Sequence, residues 1–424
     1  NFMRKIIDFH IHSKYSRATS KAFDLEEMAK WSAIKGVDII SVADFTHPAW
    51  FEILEKNLEE INNSGLYKIK NNKSQIKFLI STEVSCIYRQ NDKTRRVHLC
   101  ILMPSLESAG KFNKLLKNAG AKLASDGRPI LGMSAKQVLK FMLEADKKAM
   151  MIPAHVWTPW FAVFGSKSGF DSLEECFEEL TPHIYAIETG LSSDPLMNWR
   201  LSELDNLTIV SNSDAHSGPH IGREANVMDL GEETYSEIYN IIKTKNKTKF
   251  LYTIEFYPEE GMYHWDGHRD CKFSCHPDDT KNQHQGLCPE CKKPLTIGVM
   301  SQVNKLSDIK EDKINKSQHV PYKSIVPLPN IIANYFGMGR TSKRVQSLYL
   351  DIINKAGNEF KILLDLSEEE LNKIMPEDLS QGIIKMRNND IHIEPGFDGQ
   401  YGKVLVYSES EQAAAKNNKQ TKLF

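Results

Sequence analysis

Along the first 250 residues, apolar and polar positions alternate between two periods. Short apolar, β-branched runs read as strands: "RKIIDFHIH", "VDIISVAD", "KFLISTEVS", "RVHLCILMP", "AMMIPAHVW", "IYAIETG" and "LTIVSNSDAH". Helical patterns lie between several of them. "DLEEMAKWSAIKG" opens on Asp24 as an N-cap, has Glu27 three residues on, and stops at Gly36. "SAKQVLKFMLEADKK" and "SLEECFEEL" follow, the latter with a Ser172/Glu175 capping box. Strands and helices in alternation predict an α/β fold with parallel strands, as an open sheet or a β/α barrel. Residues 251–300 break the pattern. Residues 301–410 form a third region, with a helix in "GRTSKRVQSLYLDIINKAG", an acidic helix start at "LSEEELNKIM" and a β-like finish in "GKVLVY". The polar, low-complexity residues 411–424 read as a disordered tail.

The strand ends carry the chemistry. Asp8, His10 and His12 close the first run, and Asp44 and His47 follow the second. Glu83, His98, His155, Glu188, and the pair Asp214 and His216 close the others. Residues two apart on a strand share a face, so His10 converges with His12 and Asp214 with His216. In parallel β/α architectures, chemistry gathers at the carboxyl ends of strands. A single histidine there is more often a satisfied polar residue than a ligand, and Asp8 or Glu188 alone reads as structural or supporting. Repetition at so many strand ends reverses that balance and predicts a metal site. Imidazole nitrogen with carboxylate oxygen suits zinc, manganese or iron, above all where a carboxylate bridges two ions.

Composition narrows the setting. The 424 residues are 41% hydrophobic and 26% charged, with a formal net charge of −1. Any basic groove must therefore come from local clustering. There is no apolar run of 18 residues and no leader pattern, so no membrane partner and an intracellular, cytoplasmic or nucleoid-associated location are expected. Of seven cysteines, Cys86, Cys100 and Cys176 are scattered, whereas Cys271, Cys275, Cys288 and Cys291 are clustered. "HRDCKFSCHPDDTKNQHQGLCPECKKP" holds two close pairs and suits one structural tetrahedral zinc, "CPECKKP" reading as a zinc knuckle. For the first half of that site, His268 with Cys271 competes with Cys271 with Cys275.

The strand-end motifs of residues 4–230 resemble the polymerase-and-histidinol-phosphatase (PHP) superfamily. That resemblance implies a distorted β/α barrel of PHP type with up to three ions, whether zinc, manganese or magnesium. It implies that His10, His12 and Asp214 hold one metal, Glu83 bridges, His98 and His155 hold a second, and His216 belongs to a third. The chain departs from the usual third-metal pattern: Tyr15, Ser16 and Arg17 stand in one place and "ADFTH" in another, where Asp44 or His47 substitutes. The catalytic set so implied is His10, His12, Glu83 and Asp214.

Those motifs together with "MYHWDGHRDC", "CPECKKPLTIGV" and "GFDGQYGKV" resemble the endonuclease Q family over nearly the whole chain. The organisation expected is a catalytic PHP domain at 1–250, a zinc-binding module at 251–300, a DNA-contacting α+β domain at 301–410 and the tail. The resemblance implies DNA repair: hydrolysis of the phosphodiester 5′ to deaminated bases (hypoxanthine, uracil, xanthine) and abasic sites. Such an enzyme must flip the damaged base out of the stack. Lys14, Tyr15, Arg17 and Arg223 lie beside the metal motifs as candidate phosphate contacts, though the charged ones serve equally as solvated surface groups. Trp157, Trp160, Phe161, Phe164 and Trp199 are candidates for wedge or pocket, against a plain packing role. Arg340, Lys343 and Arg344 cluster at a helix start. Gln420 and Leu423 match the first half of a sliding-clamp binding motif. The competing readings are a small-molecule PHP phosphoesterase, a 3′→5′ exonuclease and a non-catalytic DNA-binding module.

Overall fold

The computed structural model describes residues 3–408 and Glu411. The predicted tail and the Gln420/Leu423 motif lie outside the described residues. Among the described residues two compact units are present: 3–33, 37–255 and 301–323 make the first, and 34–36, 256–300 and 324–408 the second.

The first unit is a distorted β/α barrel. The strands that position the site are β1 (Arg4–Asp8), β2 (Ile39–Ser41), β3 (Lys77–Gln90), β4 (Lys93–Met103), β5 (Met150–Pro153), β6 (Ala186–Glu188), β7 (Thr208–Val210), β8 (Ala225–Asp229) and β9 (Phe250–Glu255). β1–β2, β2–β3 and β6–β7 pair in parallel, as the alternation predicts. β3–β4 and β4–β5 are antiparallel, which it does not predict. The cause is local: Asn91 and Asp92 both adopt positive φ (50° and 57°), the two-residue turn that reverses a strand tightly. β8 adds antiparallel to β1, and β9 to β8. Among the described residues, no continuous ladder closes the ring. A single bridge between Ile11 and Ala215 and the hydrogen bond from Asp214 N to His10 O (2.9 Å) join the ends of β1 and β7. From β5 to β6 the link is Val156 N to Glu188 O (3.1 Å).

Inside, Ile7, Phe9, Ile39, Leu79, Ile152, Val210 and Phe250 make a continuous apolar core. The helices α1 (Leu25–Lys35), α2 (Ala135–Ala145) and α3 (Leu173–Phe177) stand where their patterns predict. Ser134 and Ser172 cap α2 and α3 through Gln137 N and Glu175 N. The Glu175 carboxylate takes Asp171 N, so the predicted box is half formed.

The second unit carries a hairpin of Asp266–His268 and Phe273–Cys275, and helices at Leu328–Phe336, Lys343–Ala356, Glu368–Ile374 and Glu377–Arg387. Ser367 and Glu370 complete a capping box at the acidic helix start. The "GKVLVY" run pairs as Lys403–Leu405 with His392–Glu394. Among the described residues, no helix is long and apolar enough to cross a membrane.

At the end of β9, Glu255 is fully buried and accepts hydrogen bonds from Ser211, Thr253 and Thr189. Burial pushes its carboxyl up to about 8. The folded state therefore keeps a proton that the unfolded state releases from about pH 4.5, so stability is greatest below that and falls as pH rises to about 8. In metal-free protein, thermal melts should drop in midpoint from pH 5 to 9, and Glu255→Gln should flatten that slope. Equal slopes for the two proteins would refute the assignment.

Candidate metal centre

Glu83 sits in the middle of β3, opposite Cys100 on β4, and is 1% exposed. Its two oxygens face two sets of imidazoles. Oε1 lies 2.8 Å from His98 Nδ1 and 3.2 Å from His155 Nε2. Oε2 lies 3.2 Å from His12 Nε2, 3.5 Å from His10 Nε2, and 3.0 Å from Arg128 Nη1. Asp214 Oδ1 closes the second set, 3.0 Å from His12 Nε2 and 3.6 Å from His10 Nε2. His10, His12, Glu83 and Asp214 thus form one ligand-sized group, and Glu83, His98 and His155 another.

The buried atoms His10 Nε2, His12 Nε2 and Asp214 Oδ1 make no hydrogen bond. Buried polar atoms are seldom left so, and three converging on one point fit a cation. The opposite ring nitrogens are anchored. His10 Nδ1 meets Glu188 Oε1 and Oε2 at 3.0 and 3.1 Å, and His12 Nδ1 meets Asp44 Oδ1 at 3.3 Å. Each carboxylate holds its imidazole in the tautomer that turns a lone pair inward. Glu188 is held in turn by Asn212 Nδ2 (2.8 Å) and by the backbone N–H of His155 (2.9 Å).

Electrostatics match. Burial favours the neutral Glu83 carboxyl, but His98, Arg128 and His10 outweigh it and hold the group well below the usual carboxylate range. Asp214 is also held low, burial being outweighed by His12 and His10. Burial pushes His98 down to about 4, leaving it a neutral donor. Burial opposes charge on His10 and His12 too, yet their neighbours raise both, for His10 Cys100, Glu188 and Glu83, for His12 Asp214, Asp44 and Glu83. The pocket demands positive charge.

The remaining strand-end residues do not join these groups. Asp44 Oδ2 already accepts from Ser13 N (2.7 Å), Ser13 Oγ (2.7 Å) and Ser16 Oγ (2.9 Å). His47 lies against Tyr15, ring centroids 4.4 Å apart. His216 packs on His12 at 4.3 Å, its Nδ1 2.9 Å from Asp214 O. Asp8 supports the Asp214 turn, its carboxylate accepting from Ser213 N (3.2 Å) and Gly222 N (3.3 Å).

Arg223 is spent on Ser213 O (3.1 and 3.0 Å), Lys14 lies 3.6 Å from Asp24, and Arg17 is exposed beside Asp126. Of the aromatics, Trp157 and Phe164 are core residues, 1% and 0% exposed. Trp199 is covered as well, stacked on His319 at 4.6 Å, so it is placed as a packing residue and not as a wedge. Phe161 lies on His98 (4.6 Å), and Trp160 is half exposed. Arg128, Nη1 on Glu83, is a site residue that the sequence reading missed. It sits in the loop "SDGRPI", which carries no motif. Gly127 beside it is required: a Cβ there would fall 2.4 Å from Asp44 Oδ2.

In the second unit, His268, Cys271, Cys288 and Cys291 bring their ligand atoms within 4.8 Å of one another. His268 Nδ1 is 3.6 Å from Cys291 Sγ. Cys275 turns away to Thr280 Oγ1 (3.2 Å), so His268 takes the first-half position. The knuckle turns at Lys292, φ 62°, with Lys292 N on Cys288 O (2.9 Å). Hydrogen bonding to Cys291 and burial push the Cys271 thiol up to about 12. Three sulfurs and an imidazole so placed suit tetrahedral zinc.

This distorted β/α barrel thus gathers, at its strand ends, histidine and carboxylate groups of a size to hold metal ions. A family model described as the MJ0043 C-terminal domain matches residues 327–390. The uncharacterized protein MJ0043 of Methanocaldococcus jannaschii is 34% identical over 255 residues, 58% of this chain, which spans only 31% of that relative's length. The uncharacterized protein YqxK of Bacillus subtilis is 27% identical over 424 residues, covering 95% of this chain and 100% of YqxK. The crystal structure of the lesion-specific endonuclease of Pyrococcus furiosus superposes with a TM-score of 0.83 at 27% identity, over 96% of both chains. Endonuclease Q in complex with a 27-mer duplex bearing an abasic lesion superposes at 0.82 with 28% identity, over 96% of this chain and 98% of that one. Over nearly its whole length the chain is thus similar to endonuclease Q.

Replacing Glu188 by Gln leaves one acceptor oxygen to serve His10 Nδ1, His155 N–H and Asn212 Nδ2, which now divide between two carboxylate oxygens, so at least one contact must fail. Metal affinity should fall about 10- to 100-fold, read by isothermal titration with Zn²⁺. Wild-type affinity in the variant would refute the anchoring role. Cys288→Ser should lower zinc content by one equivalent by elemental analysis.

Proposed function

We propose that the protein is a metal-dependent DNA repair endonuclease. One observation carries the reading: Glu83 presents a separate oxygen to each of two ligand groups, the geometry of a carboxylate bridging two ions. The similarity to a lesion-specific endonuclease and to endonuclease Q held on an abasic duplex supports DNA as substrate.

In this reading His10, His12 and Asp214 would hold one ion and His98 and His155 a second, with Glu83 facing both groups. When bound there, divalent ions (zinc, manganese or magnesium) would supply acidification of water and charge neutralisation at phosphoryl oxygens. The chain's own residues do the rest. Glu188 and Asp44 fix the tautomers of His10 and His12, and Arg128 keeps the Glu83 carboxylate charged and oriented. Asp44 is less suited to a third ion, since its Oδ2 already accepts three hydrogen bonds. The zinc module at 251–300 and the helical region at 301–410, with Arg340 and Lys343, serve to contact DNA, as do Tyr15, Arg17 and Phe161 beside the site. Cleavage 5′ to hypoxanthine, uracil, xanthine or an abasic site follows from the family resemblance. A phosphatase reading gives the second unit no task.

A 5′-labelled duplex with one deoxyinosine, and a second with one abasic site, should each give a single product ending just 5′ of the lesion. Chelator should abolish it, and Asp214→Asn should slow it more than about 100-fold. A ladder from the 3′ end would instead mean an exonuclease, and no product on any lesion would sink the proposal.

A further inference from the structure

Beside the metal centre, along β4, lies a cavity of about 800 Å³ that the reading above leaves without a task. The tip of the β3–β4 hairpin makes one wall and the loop from Trp160 to Asp171 another, with Gln302 and Lys305 completing it. The loop is docked on the strand that carries His98: His98 N donates to Phe161 O (3.0 Å) and Arg96 N to Ser168 O (3.1 Å). Arg96 and His98 are two residues apart and share a face, so the cavity adjoins the Glu83–His98–His155 group along one strand, at a spacing of roughly 7 Å.

Its walls are cationic. Lys93, Arg96 and Lys167 line it, and none is in an ion pair among the described residues. Lys305 is matched by Asp171 at 3.1 Å. Arg95 adds a buried guanidinium. It is 7% exposed, lies 4.1 Å from the Phe170 ring and donates Nη1 to Gly169 O, while its Nε has no partner. Glu175 lines the cavity too, but among the described residues no carboxylate stands within ion-pair distance of Arg95, and a buried cation so placed is costly unless an anion completes it. Over the rim stands Trp160, half exposed, with Arg96 5.2 Å from its ring centroid. A neutral base alone gives no use to this many cations; phosphates do, and an aromatic face at the rim takes an unpaired base.

We propose that this cavity is a second, non-catalytic DNA contact, holding backbone phosphates of the unpaired strand next to the cleavage point, with one base laid on Trp160. It rests on the reading of DNA as the substrate. The test uses the full chain in chelator with a fluorescein-labelled, lesion-free thymidine octamer, followed by anisotropy across a salt series. Lys93→Ala/Lys167→Ala should reduce the slope of log affinity against log salt by about 0.7 per lysine. Trp160→Ala should weaken binding about tenfold with the slope kept. With lesion duplex and metal, the lysine pair should raise KM and leave kcat unchanged.

An unchanged slope and affinity in the lysine variant would overturn the proposal. So would inorganic phosphate competing at the cavity while the octamer is indifferent to the lysines, which would make it a site for small anions. No cleavage of lesion duplexes alongside intact, lysine-dependent octamer binding would count against the endonuclease reading alone.

Discussion

The site depends on burying one carboxylate. Glu83 is cut off from water in the middle of a long strand, and a lone buried carboxylate is costly enough to protonate or unfold its surroundings. It remains because each oxygen has its own partners, His98 and His155 on one side and His10, His12 and Arg128 on the other. Those five residues come from four separate stretches of chain. The turn at Asn91–Asp92 matters here, since it lays β4 back along β3 and brings His98 to the same carboxylate. A helical crossover in that place would have spaced the two strands by an intervening element.

The backbone takes on strain to meet that demand. His155, Asp214 and Asp44 have φ of 34°, 47° and 43°, in a region that non-glycine residues enter at about 1–2 kcal/mol each. All three follow a short strand, where the chain must turn at once if the side chain is to point inward across the barrel mouth. The turns are held from outside. Glu188 accepts the His155 N–H, Gly190 leaves room where a Cβ would fall 2.3 Å from His155 Cβ, and Arg223 binds the carbonyls of Ser213 and Asp214. Glu188 therefore fixes the ring of His10 and the backbone of His155 with one carboxylate, tying together the two halves of the centre.

Much of this was legible because period and chemistry coincide in sequence. His-x-His and Asp-x-His at strand ends share a face by strand geometry alone, and the zinc knuckle declares itself by spacing. What escaped depends on contacts between distant residues. Arg128 is one arginine among many until the fold sets it on Glu83. Glu188, read as structural or supporting, is distinguished only by meeting His10 from 178 residues away. Trp199 has the composition of a wedge, but its burial on His319 is decided by a segment over a hundred residues later. The choice of His268 over Cys275 turns on hairpin pairing, because Cys275 faces Asp266 across the ladder and is drawn to Thr280. The antiparallel β3–β4 pair was written in the sequence as two adjacent turn formers, outvoted by the overall alternation.

The charge balance explains why a metal centre and a cationic rim belong together. Glu83, Asp214, Asp44, Glu188 and Asp8 crowd carboxylates around one point, and a phosphodiester approaching them bare would be repelled. The raised affinity of His10 and His12 for protons is the same demand expressed without ions. Divalent cations would answer it at the reacting centre, but the residues that would hold them are mostly buried, so such ions could not gather a polyanion from solution by themselves. With a net charge of −1, the chain has no general attraction for nucleic acid either. The pull must come from cations held locally without acidic partners, and Lys93, Arg96 and Lys167 are such a group, with Arg96 two residues along β4 from His98. Depth for the chemistry and a charged rim for the approach are two requirements, and one strand supplies residues to both.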